Sequence, residues 1–372
     1  MTSADHRYMK QALALAERGL GSVWPNPAVG CVIVQGTRVV GRGWTHPGGR
    51  PHAETVALAQ AGENARGATA YVTLEPCSHH GQTPPCTDAL IAAGVARVII
   101  GLQDPDPRVD GRGIARLRDA GIEVVTDFLR PHAMDQQQGF LRRVVQGRPM
   151  VTLKLATSLD GRIATATGES QWITGPQARR VVHMMRARHD AVLVGGGTAR
   201  ADDPSLTVRG LGVTHQPVRL VWSRRLDLPL SGKLAATAGE VPVWICHGQD
   251  ADKGLCDVWA GLGATLIPVG SDRSRQVDPV AALQAIGALG LTRIFCEGGG
   301  ALAASLLAAD LVDELIVFSA GLALGAEGRP ALGAMGIDSL SAAPRFVLRE
   351  TQKVGADVMH RWRRTESGLG FL

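Results

Sequence analysis

The chain has 372 residues, more than one ordinary hydrophobic core accommodates, and this length favours two domains. With 45% hydrophobic and 20% charged residues and no apolar run near the roughly 18 residues of a membrane span, the composition excludes a membrane protein. The net charge of +5 comes from dispersed arginines, and 4% aromatics offer little to stack bases on, so the basic excess suits small phosphorylated ligands rather than nucleic acid. Six scattered cysteines and the absence of a signal peptide in the Met1 to Lys10 segment point to a reducing, cytoplasmic setting.

Met9, Ala12, Leu13, Ala16 and Leu20 recur at helical spacing, which predicts an amphipathic helix over Asp5 to Leu20 stopped by Gly19 and Gly21. Trp24-Pro25-Asn26-Pro27 leads into a buried strand from Ala28 to Val34. Two prolines hold Asn26, whose amide is either an ordinary turn residue or a reader of a pyrimidine edge with both donor and acceptor. A strand over Arg38 to Gly43 follows, then a helix from His52 to about Gln60 with His52 in its first turn, and a strand over Thr69 to Leu74 that delivers Cys77 at its carboxyl end. Pro84-Pro85 precede a helix starting near Cys86. Strands over Ala96 to Gly101 and Ile122 to Val125, with a helix between, complete an alternating α/β layer.

His52-Ala53-Glu54 and the run from Pro76 to Cys86 supply one imidazole, two thiolates and a carboxylate that need not be a ligand. That is the donor set of a catalytic zinc, which keeps one position for a water whose pKa it lowers to roughly 7. Glu54, two residues after the histidine, then serves as proton shuttle, the arrangement of zinc deaminases acting on amino-substituted rings. The competing structural zinc knuckle would use His79 or His80 to close the fourth position, and no second close cysteine pair of finger spacing supports it.

Around Gly139 to Pro149 the pattern lapses, and a boundary is placed near Gln146. The second half alternates again, with strands over Met150 to Ala156, Asp190 to Gly195, Val218 to Trp222, Val241 to Cys246, Arg293 to Cys296 and Glu314 to Ser319. Helices are expected over Pro176 to Arg188, Pro279 to Leu289 and Gly300 to Ala308. Gly195-Gly196-Gly197-Thr198 and Glu297-Gly298-Gly299-Gly300 each follow a strand; each is either a tight turn or a phosphate cradle, and neither is a dinucleotide fingerprint. Ser223-Arg224-Arg225 follows the Val218 strand, where arginines either hold a cofactor 2′-phosphate or are simply solvated. Lys154 interrupts an apolar strand and must reach a cleft or a partner such as Asp160 or Asp202.

Taken together, these motifs closely resemble the bifunctional riboflavin-biosynthesis deaminase/reductase family over nearly the whole chain. In the first half the likeness rests on Pro25-Asn26-Pro27 with Val29-Gly30, His52-Ala53-Glu54, and Thr73 to His79 leading to Thr83-Pro84-Pro85-Cys86. In the second it rests on Lys154 with Ser158 to Arg162, Gly168 to Thr174, Ala201 to Arg209, and Glu297-Gly298-Gly299. The resemblance implies a cytidine-deaminase-like α/β layer domain over residues 1–146, followed by a dihydrofolate-reductase-like α/β domain over 147–372. The first would be a zinc-dependent pyrimidine deaminase acting on 2,5-diamino-6-ribosylamino-4(3H)-pyrimidinone 5′-phosphate. The second would use NADPH to reduce the ribosylamino side chain to ribitylamino.

Carried over by position, His52, Cys77 and Cys86 would hold Zn2+, with Glu54 as shuttle and Asn26 and Asp104 on the pyrimidine. Lys154 would act in the reduction together with Asp202, while Ser170, Arg186, Leu206, Arg209 and Glu297 would contact substrate. NADPH would meet Ala156, Trp172, Thr198, Asp202, Ser223 and the segment Gly299, Gly300, Ala301, Leu302, Ala303, Ala304 and Ser305. The family also implies a homodimer or homotetramer. Two positions depart from its pattern: Thr45, with His46 beside it, stands where many members carry a histidine, and Gln82 stands where many carry lysine. The rival reading is a zinc nucleobase or nucleoside deaminase with an unrelated second domain.

Overall fold

The computed structural model describes residues 1–81, 84–272 and 275–365. Its internal contacts fall into two units, Met1–Arg148 and one that begins at Pro149.

The first unit runs α1 (Ser3–Ala16), β1 (Gly30–Gln35), β2 (Arg38–Trp44), α2 (Ala53–Ala61), β3 (Thr69–Val72), α3 (Cys86–Ala92), β4 (Arg97–Ile100), α4 (Arg112–Asp119), β5 (Glu123–Val125) and α5 (Arg130–Gln146). The sheet order is β2-β1-β3-β4-β5, with β1 antiparallel to both neighbours and β3, β4 and β5 parallel. Side chains alternate across β1. Val32 and Val34 join Tyr8, Met9, Ala12 and Leu15 of α1, whereas Cys31 and Ile33 join Ala53, Ala57 and Ala61 of α2, with Leu90, Ile114 and Leu117, on the other face. Glycines let α2 lie directly on β2. A Cβ at Gly41 would stand 2.1 Å from the Ala57 carbonyl oxygen, and one at Gly43 would stand 2.1 Å from that of Ala53.

The second unit runs β6 (Met150–Thr157), β7 (Arg162–Ala164), α6 (Pro176–Ala187), β8 (Ala191–Gly195), α7 (Gly196–Asp202), β9 (Val218–Trp222), α8 (Lys233–Ala236), β10 (Val243–Gly248), α9 (Lys253–Gly261), β11 (Thr265–Val269), α10 (Pro279–Ala288), β12 (Arg293–Cys296), α11 (Gly300–Ala308), β13 (Glu314–Ser319), β14 (Arg329–Pro330), β15 (Phe346–Val354) and β16 (Asp357–Arg364). Nine strands form one sheet in the order β11-β10-β9-β8-β12-β6-β13-β16-β15. It is parallel from β11 to β13 and closes with an antiparallel hairpin. The chain leaves β8 toward β9 on one side, while β12 sits on the other. The crevice beyond the carboxyl ends of β8 and β12 is therefore a topological switch point, the usual ligand seat of such sheets.

Several expectations are corrected. The lapse expected over Gly139 to Pro149 is helical as far as Gln146, the last residue of α5. Part of the buried face of this helix is glutamine rather than aliphatic, so no apolar period marks it: Gln136 Nε2 donates to the Leu13 carbonyl at 3.1 Å and Gln137 Nε2 to that of Ala28 at 2.7 Å. The first helix ends at Ala16 and tightens into a 3-10 turn over Glu17–Gly19. His52 is the N-cap of α2 rather than a first-turn residue. No helix among the described residues is long and apolar enough to cross a membrane.

Candidate active sites

In the first unit, His52 caps α2, Cys86 opens α3, and Cys77 lies in the loop that leaves β3. His52 Nδ1 lies 3.2 Å from Cys86 Sγ and 3.6 Å from Cys77 Sγ, and the Cys86 N–H donates to Cys77 Sγ at 3.3 Å. A tetrahedral zinc with its usual bond lengths would separate N and S donors by roughly 3.5–3.8 Å, so the set is dimensioned for that ion. These are the one group of three His, Cys, Asp or Glu residues among those described whose ligand atoms converge, and neither His79 nor His80 joins it. A zinc held by these three would have no fourth protein ligand among the described residues, and His52 and Cys77 line a cavity.

The electrostatics point the same way. The hydrogen bond from Cys86 and the one from His52 pull the Cys77 thiol down to about 4, despite its burial. Cys86 is pushed well up, chiefly because it shares a proton with Cys77 and is buried. A dication bound here would favour the thiolate form of both cysteines. Glu54 is 3% exposed in the first turn of α2, and burial, followed by the Cys77 charge, pushes its carboxyl up to about 7.

This centre opens on a cavity of about 510 Å³ whose lining includes Asn26, Thr45, Arg50, Asp104, Phe140 and Arg143. Asn26 and Asp104, separated by most of the unit's sequence, therefore share one chamber with the donor set. Burial raises the Asp104 carboxyl to about 7. The Thr45 hydroxyl accepts the Val29 N–H at 3.0 Å, so this position braces the strand entry and presents no imidazole to the cavity. Gln82 and Thr83 lie outside the described residues.

Glu75 belongs to one of the sequence motifs, but nothing in the motif assigns it a role. Buried at 4% exposure, its carboxylate accepts the N–H groups of Asp104, Gly111, Gly113 and Ile114 at 2.9–3.2 Å, anchoring the segment that carries Asp104 and starts α4. Its partners lie far along the chain, so residue spacing carries no signal of it.

In the second unit Lys154 projects from β6 half-buried, and its charged neighbours are Glu297 and Arg186, not Asp160 or Asp202. Burial lowers the Lys154 amine below its ordinary value, with Glu297 opposing. Asp160 is committed elsewhere, accepting from Ser158 Oγ and from the Leu324 and Gly325 N–H groups, and Asp202 is exposed at the end of α7. Arg186 Nε and Nη2 donate to the two Glu297 oxygens at 2.5 and 3.1 Å, and Nη1 donates to the Thr207 carbonyl. Burial pushes the Glu297 carboxyl up, but Arg186, Lys154 and His183 outweigh it and hold the group below its usual range. Arg209 is exposed, and its backbone N–H donates to His183 Nδ1.

The expected cofactor residues fall into two groups. Ser223, Ala301, Leu302, Ala304 and Ser305 line a cavity of about 1530 Å³ together with Gly195, Gly196 and Gly197. At its edge, Thr198 Oγ1 accepts the Gly299 N–H at 3.2 Å, tying the start of α7 to the N-cap of α11, so both glycine stretches face the switch-point crevice. Trp172 is 66% exposed under the Arg179 guanidinium, and Ser170 and Ala156 are partly exposed. Ala303 is fully buried, and Leu206 is a core residue with a positive φ of 55°, so its side chain packs inward and leaves only its backbone to a ligand.

Residues 2–102 match the model of the cytidine and deoxycytidylate deaminase zinc-binding region, and residues 149–360 match the RibD C-terminal domain. The second match removes the rival reading in which the second half is unrelated. The riboflavin biosynthesis protein RibD of Escherichia coli is 45% identical over 95% of this chain and 98% of its own length, and that of Aquifex aeolicus is 38% identical over 97% and 98%. Among solved structures, Acinetobacter baumannii RibD superposes with a TM-score of 0.86 at 38% identity over 98% of this chain and 99% of that one. A diaminohydroxyphosphoribosylaminopyrimidine deaminase/5-amino-6-(5-phosphoribosylamino)uracil reductase from Thermotoga maritima superposes with a TM-score of 0.84 at 32% identity over 97% and 99%. The chain belongs to the RibD family and is a bifunctional enzyme of riboflavin biosynthesis, joining a zinc-dependent pyrimidine deaminase to an NADPH-dependent reductase.

Proposed function

We propose the following division of labour among the residues of this chain. His52, Cys77 and Cys86 hold the zinc, which when bound acidifies a water at the ring carbon to be attacked. Glu54 carries the proton from that water to the ring nitrogen and then to the departing ammonia; its burial beside the donor set, without being a ligand, suits it to this task. Asn26, which lines the same cavity, offers a donor and an acceptor to the pyrimidine edge. Asp104, raised toward neutrality, can hold a proton and so donate as well as accept.

In the reductase half, NADPH supplies the hydride that lands on C1′ of the sugar. Lys154 Nζ faces the place where the sugar ring opens and gives its proton to the ring oxygen. Arg186 is a positioning residue: three of its five N–H groups bond Glu297 and the Thr207 carbonyl, and it holds Glu297 ionised beside Lys154. Arg209 and Ser170 receive the substrate phosphate and sugar. We place residues 1–146 and 147–372 as the two catalytic domains, and the enzyme in the cytoplasm as a homodimer or homotetramer.

The observation that carries the assignment is the convergence of His52, Cys77 and Cys86 beside a cavity that Glu54, Asn26 and Asp104 line. The test is a coupled assay on zinc-loaded protein with the diaminopyrimidine ribosyl phosphate, reading ammonia release and NADPH oxidation separately. Ammonia is expected without NADPH, and NADPH consumption only after ammonia has been released. NADPH oxidation that precedes ammonia release would overturn this order of steps.

A further inference from the structure

Ser223, Arg224 and Arg225 leave the carboxyl end of β9, one strand beyond the switch-point crevice. In dinucleotide sites of open parallel sheets the pyrophosphate lies at the crevice and the adenosine ribose extends toward the neighbouring strand end, where its 2′ substituent is read. The large cavity spans both places, since its lining includes Gly196, Gly197 and Ser223 to Arg225.

The cationic groups at this end are not equivalent. Arg224 is held by Asp250 at 2.5 Å, its side chain is 13% exposed, and its carbonyl accepts the Gly248 N–H, so it braces β9 against the end of β10. Arg200 pairs with Asp227 at 2.9 Å. Asp227 would repel a phosphate, but this ion pair offsets its charge and its Oδ1 already accepts the Ser223 hydroxyl at 3.0 Å. Arg225 is exposed on the cavity wall and makes no ion pair or hydrogen bond among the described residues.

Resting on the reading of this cavity as the NADPH site, we infer that Arg225 binds the 2′-phosphate of the cofactor and sets the preference for NADPH over NADH, while Arg224 is structural. A guanidinium matches a phosphate with paired donors, whereas NADH offers it only a hydroxyl. Replacement should therefore cost affinity for one cofactor alone.

The experiment is calorimetric titration of the full-length protein and of Arg225→Gln and Arg224→Gln with NADPH and with NADH at fixed salt. Arg225 is exposed, so its replacement leaves folding intact. Arg225→Gln is expected to weaken NADPH binding about tenfold or more, leave NADH within about twofold and flatten the salt dependence of NADPH binding. Arg224→Gln is expected to keep the wild-type ratio of the two affinities. An unchanged ratio in Arg225→Gln, or its loss in Arg224→Gln instead, overturns the inference while leaving the cofactor site in place. A wild-type protein that binds neither nucleotide overturns the cofactor-site reading itself.

Discussion

Glu54 and Gln are nearly the same size, so Glu54→Gln separates proton transfer from metal binding. The three donors do not include Glu54, and the variant is expected to keep stoichiometric zinc by elemental analysis while ammonia release falls about 10²–10⁴-fold. Release at the wild-type rate would remove Glu54 from proton transfer. The same residue shows what a sequence reveals at this scale. That His52, Cys77 and Cys86 converge, with Glu54 in the first turn beside them, was legible because a catalytic zinc and a proton shuttle would impose residue types in recognisable short motifs. Glu75 was not, because its four partners are backbone N–H groups from Asp104 to Ile114, which no residue type announces. Lys154 was legible as an anomaly in an apolar strand, but its companion Glu297 follows from the pairing of β6 with β12, which residue spacing does not show.

Elements were legible where short, largely apolar runs mark them: β9, which is buried along its whole length, and β12, β13 and α11 have the expected bounds. They failed where the buried face is polar, as in α5, or where a strand lies largely exposed at a sheet edge, as in β15. The seat of α2 gives a test at this scale. Gly43→Ala places a methyl 2.1 Å from the Ala53 carbonyl oxygen, so α2 must move away and take its N-cap His52 with it. Zinc affinity and Tm are expected to fall together in this variant, measured by chelator competition and calorimetry, and unchanged affinity would show that the seat does not set the site.

Beyond α6, His189 supplies a pH dependence. Its Nδ1–H donates to the Met185 carbonyl at 2.7 Å, its Nε2 accepts from Thr152 Oγ1 at 3.0 Å, and burial lowers its pKa to about 3. An unfolded histidine titrates near pH 6.5, so between about 6.5 and 3 the unfolded chain binds a proton that the folded one refuses. This contribution to stability is complete above pH 6.5 and is lost as pH falls, by about 1.4 kcal/mol per unit. Comparing urea midpoints at pH 7.5 and 5.5, His189→Gln is expected to lose about 1.4 kcal/mol less than wild type on acidification. Parallel losses in the two proteins would count against it.

At the scale of the whole molecule, the two cavities draw on separate stretches of chain, residues 25–143 for one and 195–335 for the other. Their contact-defined units meet in sequence between Arg148 and Pro149. Two chemistries with unrelated demands explain this separation. Deamination needs a small, closed chamber in which a buried carboxylate can hold a proton, whereas hydride transfer needs a long crevice that admits a dinucleotide. If each site is complete within its own unit, two damaged chains should repair each other. Glu54→Gln alone is expected to produce almost no ammonia, and Lys154→Met alone to release ammonia and accumulate the deaminated ribosylamino compound. An equimolar mixture with NADPH should form the ribitylamino product after a lag, because Lys154→Met chains make the intermediate and Glu54→Gln chains reduce it. The lag should shorten as total protein rises, because the intermediate must cross solution between chains. Failure of the mixture, with each partner's remaining activity intact, would mean that the intermediate passes between sites without entering solvent, and the independence of the two halves would have to be abandoned.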